Sequence, residues 1–219
     1  MTRITPQDGV AVVTGAGSGL GRALSLALTR HGLTVIGTGR RAGPLAETQA
    51  LAPDRFHALP LDVGDWAAVQ HGFARIRAEH GRIALLVNNA AVYPRRDILD
   101  ESGESVMDTV ATNLGGTVNC ARAALEDMCE TGRGRILNVA TFADLNPLPA
   151  SAAYSISKGA ARIFTRALIA DLADRFPGIV IGDWMPGMLK TTMGIPDGLA
   201  PEAAAEWGAE LALRAEPEL

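Results

Sequence analysis

Thr14-Gly-Ala-Gly-Ser-Gly-Leu-Gly21 is the stretch that most limits what this chain can fold into. It follows directly on Val10-Ala-Val-Val13, a short apolar run that reads as a buried strand. From Arg22 to Arg30 the residues Leu24, Leu26, Ala27 and Leu28 read as a helix, which stops at His31-Gly32. Histidine in the last turn and glycine just beyond it make a C-terminal stop. Thr34 to Gly37 reads as a second strand. A glycine loop between a strand and a helix, inside a βαβ unit, is the setting in which such a loop binds a dinucleotide. Gly15 permits the tight turn off the strand. Gly19 removes the Cβ that would stand between backbone and pyrophosphate. Gly21 lets the helix pack close on the sheet. The helix N-terminus then offers free N–H groups to the phosphates. The pattern is T-G-x-x-x-G-x-G rather than the commoner G-x-G-x-x-G.

The alternation continues along the chain. Helices are expected at 42–51, 66–80, 104–130, 153–175 and 201–213, and strands at 56–61, 84–87, 136–139 and 179–184. Six strands alternating with helices predict an α/β fold: a Rossmann-type, doubly wound parallel sheet in three layers. No boundary interrupts the pattern, so residues 1–219 read as a single dinucleotide-binding domain that includes the catalytic site. Ligands of such sheets bind beyond the carboxyl ends of the strands. The unusual segments at 14–21, 62–63, 88–91, 140–151 and 185–192 all fall at such ends.

Composition excludes several classes of function. Net charge is −4 with no basic run, which argues against a nucleic-acid partner. No apolar run approaches the ~20 residues of a membrane helix, and the first residues have no signal-peptide core. The two cysteines, Cys120 and Cys129, suit neither a disulfide framework nor a metal site. Free thiols point to a reducing, cytoplasmic location.

Tyr154 and Lys158 stand four apart on an expected helix, so phenol and ammonium share one face. Of the 20 Lys and Arg residues only Lys158 and Lys190 are lysines, and Tyr93 and Tyr154 are the only tyrosines. A chain that otherwise uses arginine has a compact point charge one turn after a tyrosine. A nearby cation stabilises a phenolate, and a tyrosine tuned that way exchanges protons with an alcohol or alkoxide.

In the order and separations of these motifs the chain resembles the short-chain dehydrogenase/reductase (SDR) family over residues 8–213. The resemblance rests on Thr14–Gly21, Asp62-Val63, Asn88-Asn-Ala90, Asn113, Tyr154/Lys158 and Pro186-Gly187. It implies that Tyr154 is the general acid/base, and that Lys158 lowers its pKa and bonds the nicotinamide ribose. Asn113 would hold a water that links Lys158 to solvent. The glycine loop, with Gly15, Ser18, Gly19 and Leu20, would cradle the cofactor. Asp62 with Val63 would meet the adenine, Asn89 with Ala90 would lie along its ribose, and Thr191, just after Pro186-Gly187, would bond the carboxamide.

Three positions depart from the family pattern. Thr141 stands where the family has its catalytic serine; the hydroxyl is kept and a methyl is added. Ala91 replaces a glycine. The segment 213–219 does not read as the family's seventh strand. At the end of the second strand, where an acidic residue would select NAD, the chain has Gly39 followed by Arg40-Arg41. Arginine pairs with a 2′-phosphate, so NADP(H) is favoured with NAD(H) possible, and Ser18 in place of a second basic residue makes the preference modest. The expected substrate is a small neutral or weakly polar carbonyl/alcohol, because the wall residues are mostly apolar. Arg95 and Arg96 could meet an anion at the rim, but they read better as solvated loop charges. The family's pairing through two long helices implies a homodimer. Glycine and proline in 187–201 argue against a helical lid there and for an open or mobile one. A cofactor-binding, redox-responsive regulator without catalysis is the alternative; it would retain the glycine loop but not the four chemical positions.

Overall fold

A computed structural model describes residues 3–214. Six strands form one sheet: β1 (Val10–Thr14), β2 (Val35–Gly39), β3 (Phe56–Pro60), β4 (Ile83–Asn88), β5 (Gly134–Val139) and β6 (Ile179–Trp184). Every neighbouring pair is parallel and the order is β3-β2-β1-β4-β5-β6. Alternation along each strand splits the core between two faces. In β1, Ala11 and Val13 face one side with Leu24 and Leu28, while Val10 and Val12 face the other with Val69 and Phe73. The first side is covered by α1 (Gly19–Arg30), α2 (Ala42–Leu51) and α7 (Pro201–Leu213). The second is covered by α3 (Trp66–His80), α5 (Gly116–Thr131) and α6 (Ala152–Leu172), with α4 (Gly103–Val110) packed outside on α6. The expected three-layer, doubly wound α/β sheet is therefore what forms.

Helix stops follow the sequence signals. Gly32 and Gly81 both take positive φ, 90° and 96°, just beyond the last turns of α1 and α3. Several boundaries differ from expectation, two of them in the long helices. The helix expected to run unbroken over 104–130 contains a π-turn at Ala111–Gly115 between α4 and α5. A π-turn inserts one residue without ending the helix, so hydrophobic spacing does not reveal it. α6 ends at Leu172 rather than 175, with a short turn following.

Segment 187–200 is not helical, as its glycines predict, but it is folded rather than loose. Leu189 bridges Leu199, the Leu199 N–H donates to the Met188 carbonyl at 2.9 Å, and the Ile195 N–H donates to that of Leu189 at 3.0 Å. Arg214 forms an antiparallel bridge with Arg3. The position expected to lack a seventh strand lies mostly at 215–219, outside the described residues. No helix among the described residues is long and apolar enough to cross a membrane. Cys120 and Cys129 are both free.

Candidate active site

The sheet order reverses between β1 and β4, and the two strand ends are tied together there. The Thr14 hydroxyl accepts from the N–H groups of Asn89 (3.0 Å) and Ala90 (2.9 Å), and Asn89 Nδ2 donates to the Thr14 carbonyl at 2.9 Å. The glycine loop turns over this knot. Gly15 has φ 69°, and a Cβ on Gly21 would lie 2.2 Å from the Gly15 carbonyl oxygen. Only glycine fits at either place. The sequence places the start of α1 at Arg22, but the structure starts it at Gly19, so the last glycines form its first turn.

Beyond this loop lies a cavity of 1110 Å³. Gly15, Ser18, Gly19 and Leu20 line one end, with Arg40 and Arg41 beside them. Asp62, Val63, Asn89, Ala90, Thr141, Tyr154, Lys158, Pro186, Gly187 and Thr191 line the cavity as well. Ala91, the second departure, also lines it. Asn113 does not. It is fully buried behind the wall. Arg40 and Arg41 are exposed, and neither makes a hydrogen bond or ion pair among the described residues. A Cβ on Gly39 would meet nothing nearer than Leu45 at 3.8 Å, so there is room beside these guanidinium groups. Thr191 closes on the glycine loop: its Cγ2 is 3.2 Å from where a Cβ of Gly19 would stand. The cradle, the adjacent arginines and a cavity of this volume fit a dinucleotide.

Thr141 is the N-cap of a 3-10 turn (Phe142–Asp144) after β5, and its hydroxyl accepts from the Ala143 N–H at 3.3 Å. That bond uses a lone pair and leaves the hydroxyl proton free to point into the cavity. Tyr154 and Lys158 lie one turn apart at the start of α6. Lys158 is buried and donates from Nζ to the Val139 carbonyl at 2.8 Å.

The electrostatics correct one expectation. Tyr154 is not lowered by Lys158: its pKa is raised, chiefly by burial, with the nearby Thr141 hydroxyl pulling the other way. The Lys158 ammonium, bonded to the Val139 carbonyl, does not offset this burial. Burial also brings Lys158 from 10.5 down to about 8, against the charges of Asp183 and Asp144. Between about 8 and 10.5 the folded chain has released a proton that the unfolded chain keeps. Stability should therefore rise with pH across that window. Thermal melts should show the wild type gaining on Lys158→Met from pH 8 to 10.5. A constant difference would contradict the burial of a charged lysine.

Asn113 also behaves differently from expectation. Its Oδ1 accepts from the Val92 N–H at 2.8 Å, and its Nδ2 donates to the Val92 carbonyl (3.0 Å) and the Ser157 hydroxyl (2.9 Å). Both amide protons are committed, so the side chain fastens α6 and the loop after β4 to the π-turn. A water would have to be held by other atoms.

Several contacts of the site were missed from the sequence. Asn88 donates to Asn138 (2.9 Å), Asn138 to Thr165 (2.9 Å) and Thr165 to Asp183 (2.6 Å), a buried chain that fixes α6 against the ends of β4, β5 and β6. Polar residues closing apolar strands at Asn88, Asn138 and Asp183 were the signal. Arg162 pairs with Asp144 at 2.5 Å and donates to the Thr141 carbonyl at 3.3 Å. Tyr93 stacks on Tyr154, with ring centroids 4.4 Å apart and planes at 16°. Arg95, expected to be a solvated charge, is exposed but donates to the carbonyls of Met193 (2.7 Å) and Gly194 (2.8 Å).

Comparison with known proteins points the same way. Residues 9–199 match the short chain dehydrogenase family model. The chain is 36% identical over 190 residues to "Probable oxidoreductase EphD" of Mycobacterium tuberculosis, covering 85% of this chain. It spans only 32% of that relative. It is 30% identical to human "Dehydrogenase/reductase SDR family member 7", covering 92% of this chain and 61% of the relative. The crystal structure of the KRED1-Pglu enzyme superposes with a TM-score of 0.84 at 27% identity, covering 96% of this chain and 97% of that one.

Proposed function

This chain belongs to the short-chain dehydrogenase family, and from that premise we propose an NAD(P)-dependent oxidoreductase that interconverts a small carbonyl compound and its alcohol. The observation that carries the reading is one continuous cavity, with the glycine cradle at one end and Thr141 and Tyr154 on the wall beyond it. When bound, the nicotinamide supplies or accepts the hydride. Tyr154 gives its phenolic proton to the carbonyl oxygen in reduction and takes it back in oxidation. The Thr141 hydroxyl donates to the same oxygen and offsets its developing charge. Lys158 bonds the nicotinamide ribose, and its ammonium favours the phenolate once it turns from the Val139 carbonyl. Asn113 holds the geometry of α6 through Ser157. Asp62 and Val63 meet the adenine, Asn89 and Ala90 its ribose, and Thr191 the carboxamide. Pro186-Gly187 carries the chain across to it.

The substrate is neutral or weakly polar. Val92, Phe142, Leu148, Met185, Met188 and Met193 supply an apolar wall, and the Arg95 guanidinium is already tied to backbone carbonyls. A homodimer would cover Met107 on α4 and Ile156, Ile163 and Ile169 on α6, all exposed. Light scattering should find a dimer, and a monomer that persists on concentration would defeat that pairing.

NADPH is the preferred cofactor. Arg40 and Arg41 are free to pair with a 2′-phosphate, and Gly39 leaves it room. Replacing both arginines with alanine should weaken NADPH binding by roughly tenfold to hundredfold, the range of charge-assisted hydrogen bonds. NADH affinity should barely change. Fluorescence titration of both cofactors checks this, and tighter NADH binding by the wild type would sink the preference.

A further inference from the structure

We propose that Tyr93 and Arg95 are positioning residues: Tyr93 fixes the plane of the Tyr154 ring, and Arg95 fastens both Tyr93 and the 187–200 loop over the site. The proposal rests on the reading of Tyr154 as the acid/base. Four observations converge on it. The Tyr93 ring covers one face of Tyr154 at stacking distance, 4.4 Å between centroids. The Arg95 guanidinium carbon lies 5.2 Å from the Tyr93 centroid, within cation–π range. The same guanidinium donates to two successive carbonyls, those of Met193 and Gly194. Arg95 also takes φ 51°, a conformation that side-chain-bearing residues avoid. Such backbone persists only where its surroundings over-determine it, and here the surroundings are the ring and the loop.

The consequence is a strap across the cavity mouth. The loop held by Arg95 also carries Thr191, which lies against Gly19 in the phosphate cradle. A single arginine therefore links the cofactor side of the site to the ring that exchanges the proton. With its donors committed to the loop, Arg95 serves to close the site rather than to recognise an anionic substrate. Tyr93 also excludes water from one face of Tyr154, whose phenol is otherwise faced by Thr141 and Asp144.

Two tyrosines and two lysines make the proposal directly testable. In Tyr93→Phe only Tyr154 remains to titrate, and near-ultraviolet tyrosinate absorbance reads it alone. The phenylalanine preserves the stack, so the midpoint should stay above that of a free phenol. Tyr93→Ala, which uncovers the ring, should make Tyr154 more acidic by about tenfold. Arg95→Gly keeps the backbone conformation and removes the guanidinium. An endoprotease specific for lysine should then cut after Lys190 about ten times faster, because the loop has lost two hydrogen bonds. Lys158 is buried within α6, so Lys190 is the bond that reports. Arg95→Gln, whose amide can still donate to one of the two carbonyls and which adds no cleavage site, should recover part of the protection. Equal cleavage of Arg95→Gly and wild type would overturn the strap. Equal titration of Tyr93→Ala and Tyr93→Phe would overturn the positioning of the ring. Neither readout uses cofactor or substrate. A chain that bound no nicotinamide would thus fail the functional reading and leave this test intact.

Discussion

Tyr154→Phe should lower turnover by roughly two to four decades and leave NADPH affinity nearly unchanged. The ring survives the substitution, so the stack on Tyr93 and the packing of α6 remain. Only the transferable proton is lost. On the proposed mechanism nothing else in the site would replace it: Thr141 is far too weak an acid, and Lys158 is buried with its ammonium on the Val139 carbonyl. Steady-state rates with a responsive ketone, together with a cofactor titration, separate chemistry from binding. Normal turnover in the phenylalanine variant would show that the proton comes from elsewhere. Changes at Thr141 refine the result. Thr141→Ser retains the hydroxyl and frees the methyl's space, so activity should hold or rise. Thr141→Val retains the shape and removes the donor, so activity should be lost.

Gly21→Ala should weaken nicotinamide binding by about a hundredfold and destabilise the fold by about 1–3 kcal/mol, the cost of over-packing a tight contact. The added methyl would lie 2.2 Å from the Gly15 carbonyl oxygen and 2.5 Å from Asn89 Nδ2. Neither neighbour is free to give way. The Gly15 carbonyl belongs to the cradle backbone, and Asn89 is bonded to Thr14 and Gly15 across the junction of β1 and β4. Either α1 lifts off the sheet or the cradle opens, and in both cases the phosphate site is lost. Gly43→Ala is the control. It lies near the start of α2 with nothing within 4 Å of a new Cβ, and should be neutral or stabilising by about 0.5 kcal/mol. Similar loss of cofactor in both variants would show that the close approach at Gly21 is not what holds the loop.

Much of the fold was legible because its signals are local. Short apolar runs mark the strands, and His31-Gly32 and His80-Gly81 mark two helix ends. That the glycine loop and the residues at neighbouring strand ends line one cavity was legible for the same reason. What escaped was tertiary. The π-turn at Ala111–Gly115 leaves hydrophobic spacing intact, and it forms where Asn113 is held by Val92 and Ser157. The stack of Tyr93 on Tyr154 joins residues far apart in sequence. Arg95 read as a loop charge because nothing local shows that two carbonyls of another loop wait beside it. The direction of the Tyr154 pKa shift was misjudged for a related reason. Spacing puts a lysine on the right face, but burial and the direction of its ammonium decide what it does to the phenol.

Transfer of deuterium from C4-deuterated NADPH to a panel of apolar ketones, read by mass spectrometry of the alcohols, bears most directly on what the cavity is for. The wild type should place the label on the carbinol carbon of at least one product, and Tyr154→Phe should leave that product nearly unlabelled in the same time. Tight binding of NADPH with no label in any alcohol would contradict the enzyme and leave a cofactor-binding regulator in its place.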